Sequence, residues 1–191
     1  IMCGIVGGTS ERNILPILVE GLRRLEYRGY DSAGVAFKQN GSISVTKNKG
    51  RVDELAKKLN LKSNQSNLGI AHTRWATHGI PSEKNAHPHQ SKNIFVVHKG
   101  IIENNTDLKA QLKAEGIRFS TQTDTEVIAH LIRMFVEKGQ SFEKAVFNTL
   151  KKLKGAYALG IIDKNDPEQI IGVRNQSPLV LGKGFQENFI A

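Results

Sequence analysis

Hydrophobic residues recur along the chain with two periods, and the switch between them divides it into strands and helices. The opening run Cys3-Gly4-Ile5-Val6-Gly7-Gly8 is continuously apolar and closed by glycines. It predicts a buried strand that begins at the cysteine and ends in a turn. Ile14, Ile17, Leu18, Leu22 and Leu25 fall on one helical face, predicting a helix from Ile14 to Tyr27 that Arg28-Gly29-Tyr30-Asp31-Ser32 breaks. Two strand-like runs, Gly34 to Lys38 and Ser42 to Lys47, flank Gln39-Asn40-Gly41. Asn-Gly supplies the positive φ angles of a type I′ turn, so this stretch is a predicted hairpin. A helix over Val52 to Leu59 and a polar loop, Lys62 to Asn67, lead to a predicted buried strand, Leu68 to Thr73.

From Arg74 to Lys92 the apolar period disappears and Gly79, Pro81, Pro88 and three histidines take its place. This predicts a long loop, the kind of segment in which function concentrates. Strand character returns over Asn93 to His98, and helical spacing over Asn105 to Glu115, Thr125 to Lys138 and Phe142 to Lys154. The pattern Thr123-x-x-Glu126 predicts a capping box at the second of these helices. Beyond Gly155 come predicted strands at Tyr157 to Ile162, Gln169 to Arg174, Leu179 to Leu181 and Asn188 to Ala191. Strands, then helices, then strands predict an α+β sandwich of layers, and no repeat, low-complexity tract or flexible linker interrupts it.

Composition narrows the function classes. The 191 residues carry 27 Lys and Arg against 18 Asp and Glu, a formal charge of +9, with 39% hydrophobic residues. A basic balance raises nucleic-acid binding as one class. The densest groups, Lys47, Lys49 and Arg51 and then Lys151, Lys152 and Lys154, adjoin predicted helices, however, and aromatics make up only 6%, too few for a base-stacking platform. The expectation is no nucleic-acid partner. No apolar run approaches the roughly 18 residues of a membrane span, and no secretory signal pattern opens the chain, so no membrane role and a cytoplasmic address are expected. One cysteine, Cys3, excludes an internal disulfide and thiolate-rich zinc sites.

Cys3 is thus either a small core residue or a nucleophile. A thiol of ordinary pKa, about 8.5, needs a base or a cation beside it to react at neutral pH. Six histidines are available as the base, and spacing selects none of them. A metal is a second source: His87-x-His89 beside His78 has ligands of the right type, without a carboxylate or thiolate at a recognised spacing. The third is the α-amine of a chain that begins at Cys3, whose pKa of about 7.7–8.0 leaves much of it free as base.

Four motifs, Cys3-Gly4-Ile5-Val6-Gly7, Glu26 to Gly34, Ala71-His72-Thr73-Arg74-Trp75-Ala76-Thr77-His78-Gly79 and Thr123-Asp124-Thr125-Glu126-Val127, stand in one order along the chain. Asn85 to His89, His98 to Asn104, Ser177 to Val180 and Glu187 to Ala191 extend the match to the whole length. Together they resemble the glutaminase domains of glutamine:fructose-6-phosphate amidotransferases, within the class II amidotransferases; other class II branches match less well at Trp75 to His78 and Thr123 to Thr125. The resemblance implies an N-terminal nucleophile hydrolase fold, a four-layer αββα sandwich, in a domain spanning 1–191 that continues beyond its last residue.

The resemblance also implies roles. Cys3 attacks the glutamine amide, Lys99 and Gly100 stand at the oxyanion hole, and Arg28 lies near the nucleophile. Arg74 takes the substrate α-carboxylate, for which a guanidinium fork is suited, Thr77 and His78 add hydrogen bonds, Asp124 receives the α-ammonium and Trp75 gates the site. Without the resemblance, Arg74 reads as a surface ion pair, Asp124 as charge at a helix start, Trp75 as core and Arg28 as a loop cap. His72, His87 and His130 are expected to be structural. Glutamine, a sugar isomerase domain and a second copy of the full-length enzyme are the implied partners, with no cofactor and no metal.

Two positions depart from the family pattern. Ile1-Met2 precede the cysteine that the family exposes as its mature N-terminus, which turns the α-amine of Cys3 into a peptide nitrogen. Lys99 stands where the family has an asparagine whose side chain donates to the oxyanion. A weak or inactive glutaminase is the expectation for this chain.

Overall fold

A computed structural model describes residues 3–191; the expectation about Ile1 and Met2 lies outside them. Alternation along the strands builds the layers. In β1 (Gly4–Ser10), β2 (Ser32–Gln39) and β4 (Leu68–Arg74), Ile5, Ala36, Leu68 and Ile70 face one way while Val6, Ala33, Val35, Phe37 and Ala71 face the other. The second set packs on α1 (Leu15–Leu25) and α2 (Val52–Leu59) through Leu15, Leu18, Leu22, Leu55 and Leu59. The first set meets Phe95 and Val97 of β6 (Ile94–Gly100) and Ala158 and Ile162 of β7 (Tyr157–Asp163). On the far side of β6 and β7, Ile94, Val96, Leu159 and Ile161 pack on α3 (Asn105–Ala114), α4 (Glu126–Glu137) and α5 (Phe142–Leu150). Two sheets thus lie face to face between helical layers, the αββα order implied by the resemblance.

The larger sheet has the strand order β3-β2-β4-β1-β10-β9, where β3 is Ser42–Lys49, β9 Leu181–Gly184 and β10 Glu187–Ile190. The smaller has the order β5-β6-β7-β8, with β5 at His89–Ser91 and β8 at Asp166–Asn175. Every pairing within both sheets is antiparallel. No helix among the described residues is long and apolar enough to cross a membrane.

Several boundaries move. β1 runs through Gly7 and Gly8 to Ser10 instead of turning there, because side chains of Ile70, Ile190, Ile14 and Phe189 fill the space a Cβ would occupy. The first helix stops at Leu25 and a single 3-10 turn, Glu26–Arg28, follows. α5 stops at Leu150, four residues early, and the strand expected at Leu179 lies instead at Leu181–Gly184. The hairpin turns where expected, with φ of 50° at Asn40 and 73° at Gly41. The capping box does not form. Glu126 accepts from the backbone N–H and hydroxyl of Ser120 and of Thr121, at 2.7–2.9 Å, and Thr125 is the N-cap residue, without a side-chain cap.

Gly34 in β2 lies where the loop crosses the sheet. A Cβ there would stand 2.1 Å from the His87 carbonyl oxygen and 3.1 Å from that of Thr46. Both are backbone atoms with no rotamer to yield. Gly34→Ala is therefore expected to cost about 3 kcal/mol, the upper end of ordinary overpacking. A lowered urea midpoint at unchanged slope is the reading, and an unchanged midpoint contradicts it.

Candidate active site

Cys3 immediately precedes β1, whose Gly4 pairs with Thr73 of β4, so the thiol emerges where Arg74 and Trp75 leave the sheet. The Trp75 backbone N–H donates to Sγ at 3.5 Å, and Sγ lies 3.7 Å from the Trp75 carbonyl oxygen. Among the described residues, no imidazole hydrogen-bonds to the thiol. Burial pushes the thiol up; the Trp75 amide and Arg74 pull against that, while Asp31 and Asp124 add to it. The balance favours the thiol over the thiolate.

Strand β6 delivers Lys99 and Gly100 to the same place, opposite Ala158 and Tyr157 of β7. Cys3, Trp75, Thr77, Lys99 and Gly100 line a cleft of about 250 Å³ that Gln176, Ser177 and Pro178 close on the far side. That is below the ~300–1,000 Å³ of pockets for drug-sized ligands and suits an amino-acid-sized molecule. A second hollow of about 150 Å³ beside Cys3 brings in Arg28, again with Lys99. Burial first, and then the Arg28 charge, pull the Lys99 amine below its ordinary value, with Cys3 acting the other way. The Arg28 Nε donates to the Tyr27 hydroxyl at 2.9 Å. Gly100 has φ of 123°, and a Cβ there would meet the Ala156 carbonyl oxygen at 2.1 Å.

Arg74, His78 and Asp124 are not on the cleft wall. Arg74 is buried and forms no surface ion pair, so that alternative is corrected: its guanidinium donates to the carbonyl oxygens of His78, of Gly79 at 3.0 Å and of Ile80 at 3.5 Å. Among the described residues no carboxylate pairs with that charge, and the side chain folds the 78–80 turn around itself. His78 contacts Thr77 through Nδ1 at 3.4 Å. Asp124, 5% exposed, accepts the Ile102 backbone N–H at 2.9 Å and so anchors the chain just after Gly100. Trp75 is 36% exposed at the rim and is not core. The metal trio does not assemble: His87 and His89 turn Nε2 onto the hydroxyls of Thr125 and Thr123, and no group of three or more ligands converges among the described residues.

Two contributors escaped the sequence reading. Asp31 accepts the Ala76 backbone N–H and, at 2.7 Å, the Ser32 hydroxyl, which shapes the turn that carries Trp75 and Thr77. Tyr30 sets its ring edge-on to Trp75 at 5.7 Å. An acid at the mouth of a strand after Arg-Gly-Tyr is the signal that could have marked the first; Ser177 and Pro178 of the wall stand in the Ser177 to Val180 motif, which assigned them no site role.

The glutamine amidotransferase domain family matches residues 72–190. The chain belongs to the glutamine amidotransferase family. Its fold agrees: glutamine phosphoribosylpyrophosphate amidotransferase from B. subtilis superposes with a TM-score of 0.84 at 29% identity, covering 97% of this chain and 41% of that one. The layers seen here are thus those of an N-terminal nucleophile amidotransferase. This amidotransferase domain is also 55% identical over 190 residues to the isomerizing glutamine--fructose-6-phosphate aminotransferase of Acinetobacter baylyi, and 53% identical over 191 residues to that of Shewanella oneidensis. In both comparisons the whole of this chain is covered, and it spans 31% of the relative's length.

Proposed function

We propose that this domain hydrolyses glutamine to glutamate and ammonia through a thioester on Cys3. The observation that carries the reading is the convergence of Cys3, Lys99 and Gly100 on one amino-acid-sized cleft at the ends of β1 and β6. Sulfur adds to the amide carbon, the carbonyl oxygen takes up negative charge, and the C–N bond breaks as the nitrogen leaves protonated, as ammonia. Water then adds to the γ-glutamyl thioester, and C–S cleavage returns the thiol. The base is the α-amine of a chain beginning at Cys3, since no imidazole serves the thiol. Arg74 takes the α-carboxylate with N–H groups not spent on the 78–80 turn, and Asp124 the α-ammonium on the carboxylate oxygen not bonded to Ile102; both are buried off the cleft wall, so on this reading the 78–80 turn shifts to open the cleft to them as substrate enters. Thr77 and His78 add hydrogen bonds, and Trp75 covers the cleft.

Residues 1–191 act on this reading as the glutaminase domain of a longer, dimeric cytoplasmic enzyme. Its sugar isomerase domain uses the ammonia to convert fructose 6-phosphate to glucosamine 6-phosphate. Support comes from the relatives' names and from the share of their length that the chain spans. The test is labelling by an electrophilic glutamine analogue, with the chain begun at Cys3. Mass spectrometry is expected to find one adduct, on Cys3, that excess glutamine prevents. Labelling elsewhere, or labelling that glutamine leaves unchanged, overturns the proposal.

A further inference from the structure

Four buried histidines lie together behind the cleft: ring centroids of His72 and His87 are 4.1 Å apart, of His87 and His89 4.5 Å, and of His87 and His98 6.4 Å. Burial favours the neutral form of all four, strongly for His72, His87 and His89, and against the pull of Asp124 for His98. A neutral imidazole has one N–H, and for three of these rings its position follows from the partners. His72 Nε2 lies 2.9 Å from the His98 carbonyl oxygen, which only accepts, so the His72 proton is on Nε2 and its unpartnered Nδ1 is a bare lone pair. His98 Nδ1 lies 2.9 Å from Thr125 Oγ1 and 3.8 Å from an Asp124 carboxylate oxygen. The carboxylate favours the proton on that nitrogen, so His98 donates to Thr125. The hydroxyl has a single proton, which goes to its other neighbour, His87 Nε2 at 2.9 Å. His87 then carries its own proton on Nδ1, which has no partner.

The order is self-consistent. Among the described residues it leaves an orphaned donor on His87 and orphaned acceptors on His72 and on His98 Nε2, the first two in rings 4.1 Å apart. Reversing the Thr125 hydroxyl would put two bare lone pairs in those touching rings. It would also turn the His98 lone pair toward the Asp124 carboxylate. His98 adjoins Lys99 of the cleft wall, Thr125 adjoins Asp124, and His72 lies two residues before Arg74.

We propose that Thr125 is a positioning residue whose hydroxyl, accepting from His98 and donating to His87, fixes the protons of those two rings beside a His72 ring fixed by the His98 carbonyl, and so holds Asp124 and the Lys99–Gly100 corner in register. The catalytic half of this inference rests on the glutaminase reading; the proton order does not. Long-range nitrogen–proton NMR of histidine-labelled protein, without substrate, is expected to show the N–H on Nε2 of His72 and on Nδ1 of His87 and His98. A different tautomer at any of the three overturns the proton order. In protein begun at Cys3, Thr125→Val keeps the shape without the hydroxyl and is expected to lose the His87 and His98 tautomers and to lower kcat roughly 10- to 100-fold, as misplaced groups do. Thr125→Ser is expected to restore both. Unchanged kcat in Thr125→Val overturns the positioning role. If that variant does not fold, the parent spectrum and Thr125→Ser still decide. Absence of glutamine hydrolysis both in the parent begun at Cys3 and in its Lys99→Asn form would sink the glutaminase reading while leaving the tautomers to judge the proton order.

Discussion

Replacing Lys99 by asparagine in protein that begins at Cys3 is expected to raise glutamine turnover about 10²–10³-fold over the same chain with lysine, the usual worth of one oxyanion donor. Lysine can donate, but its amine is partly desolvated beside Arg28 and held on a long flexible stem. An amide on a two-bond stem places its N–H with less freedom and brings no charge. The charge matters because the proposed base, the Cys3 α-amine, must be neutral to take a proton, and an ammonium nearby is a poor companion for the protonated amine that results. The N-terminus is the second variable. With a peptide nitrogen at Cys3, a thiol that burial already pushes up has no imidazole to turn to. Glutamate release from the four combinations of start site and residue 99 separates the effects. Equal rates in all four would sink both.

Acid is expected to unfold this domain steeply, beginning below about pH 6.5, the ordinary value for histidine. His72 is pulled down to about 3, and His87, His89 and His98 are also lowered, by burial first; neighbouring cationic charges add to this at His72, His87 and His89, while Asp124 opposes it at His98 and Glu126 at His89. Between the folded and the ordinary pKa the unfolded chain binds the proton and the folded chain does not, so stability is full above the window and falls as pH drops. Each such group contributes a slope of up to about 1.4 kcal/mol per pH unit, and four give about 5 against a total stability of ~5–15 kcal/mol. Glu126 works in the same direction lower down. Burial alone would raise it, but hydrogen bonds from His130, Ser120 and Thr121 hold it well below the carboxylate range. Urea midpoints from about pH 7.5 to about pH 5 measure the slope. A flat profile would show that the rings are not held neutral.

Much of the sandwich was legible because burial on both faces of β1, β2, β4 and β6 leaves continuous apolar runs, and α2 shows a clean helical face. What the chain pattern hid depends on partners distant in sequence. Thr123-x-x-Glu126 has the letters of a capping box, yet Thr123 turns to His89 and Glu126 to Ser120 and Thr121. Strand β5 is three polar residues, His89-Gln90-Ser91, and carries no apolar period; its outer residues are buried by α4 and the histidine stack. β9 is exposed throughout, so no alternation marks its ends. At the site, the family resemblance implied roles for Cys3, Trp75, Thr77, Lys99 and Gly100, and these five line one cleft. It could not show that Arg74 would be wrapped in carbonyl groups or that Asp31 would hold the neighbouring turn.

The chain's one tryptophan stands at the rim of that cleft, 36% exposed, its amide on the Cys3 sulfur and its ring against Tyr30. Fluorescence excited at the red edge of the tryptophan band, where the three tyrosines absorb little, is therefore light from this one place. Ligand entry, alkylation of the sulfur and loss of the fold all report through it, with no probe to attach.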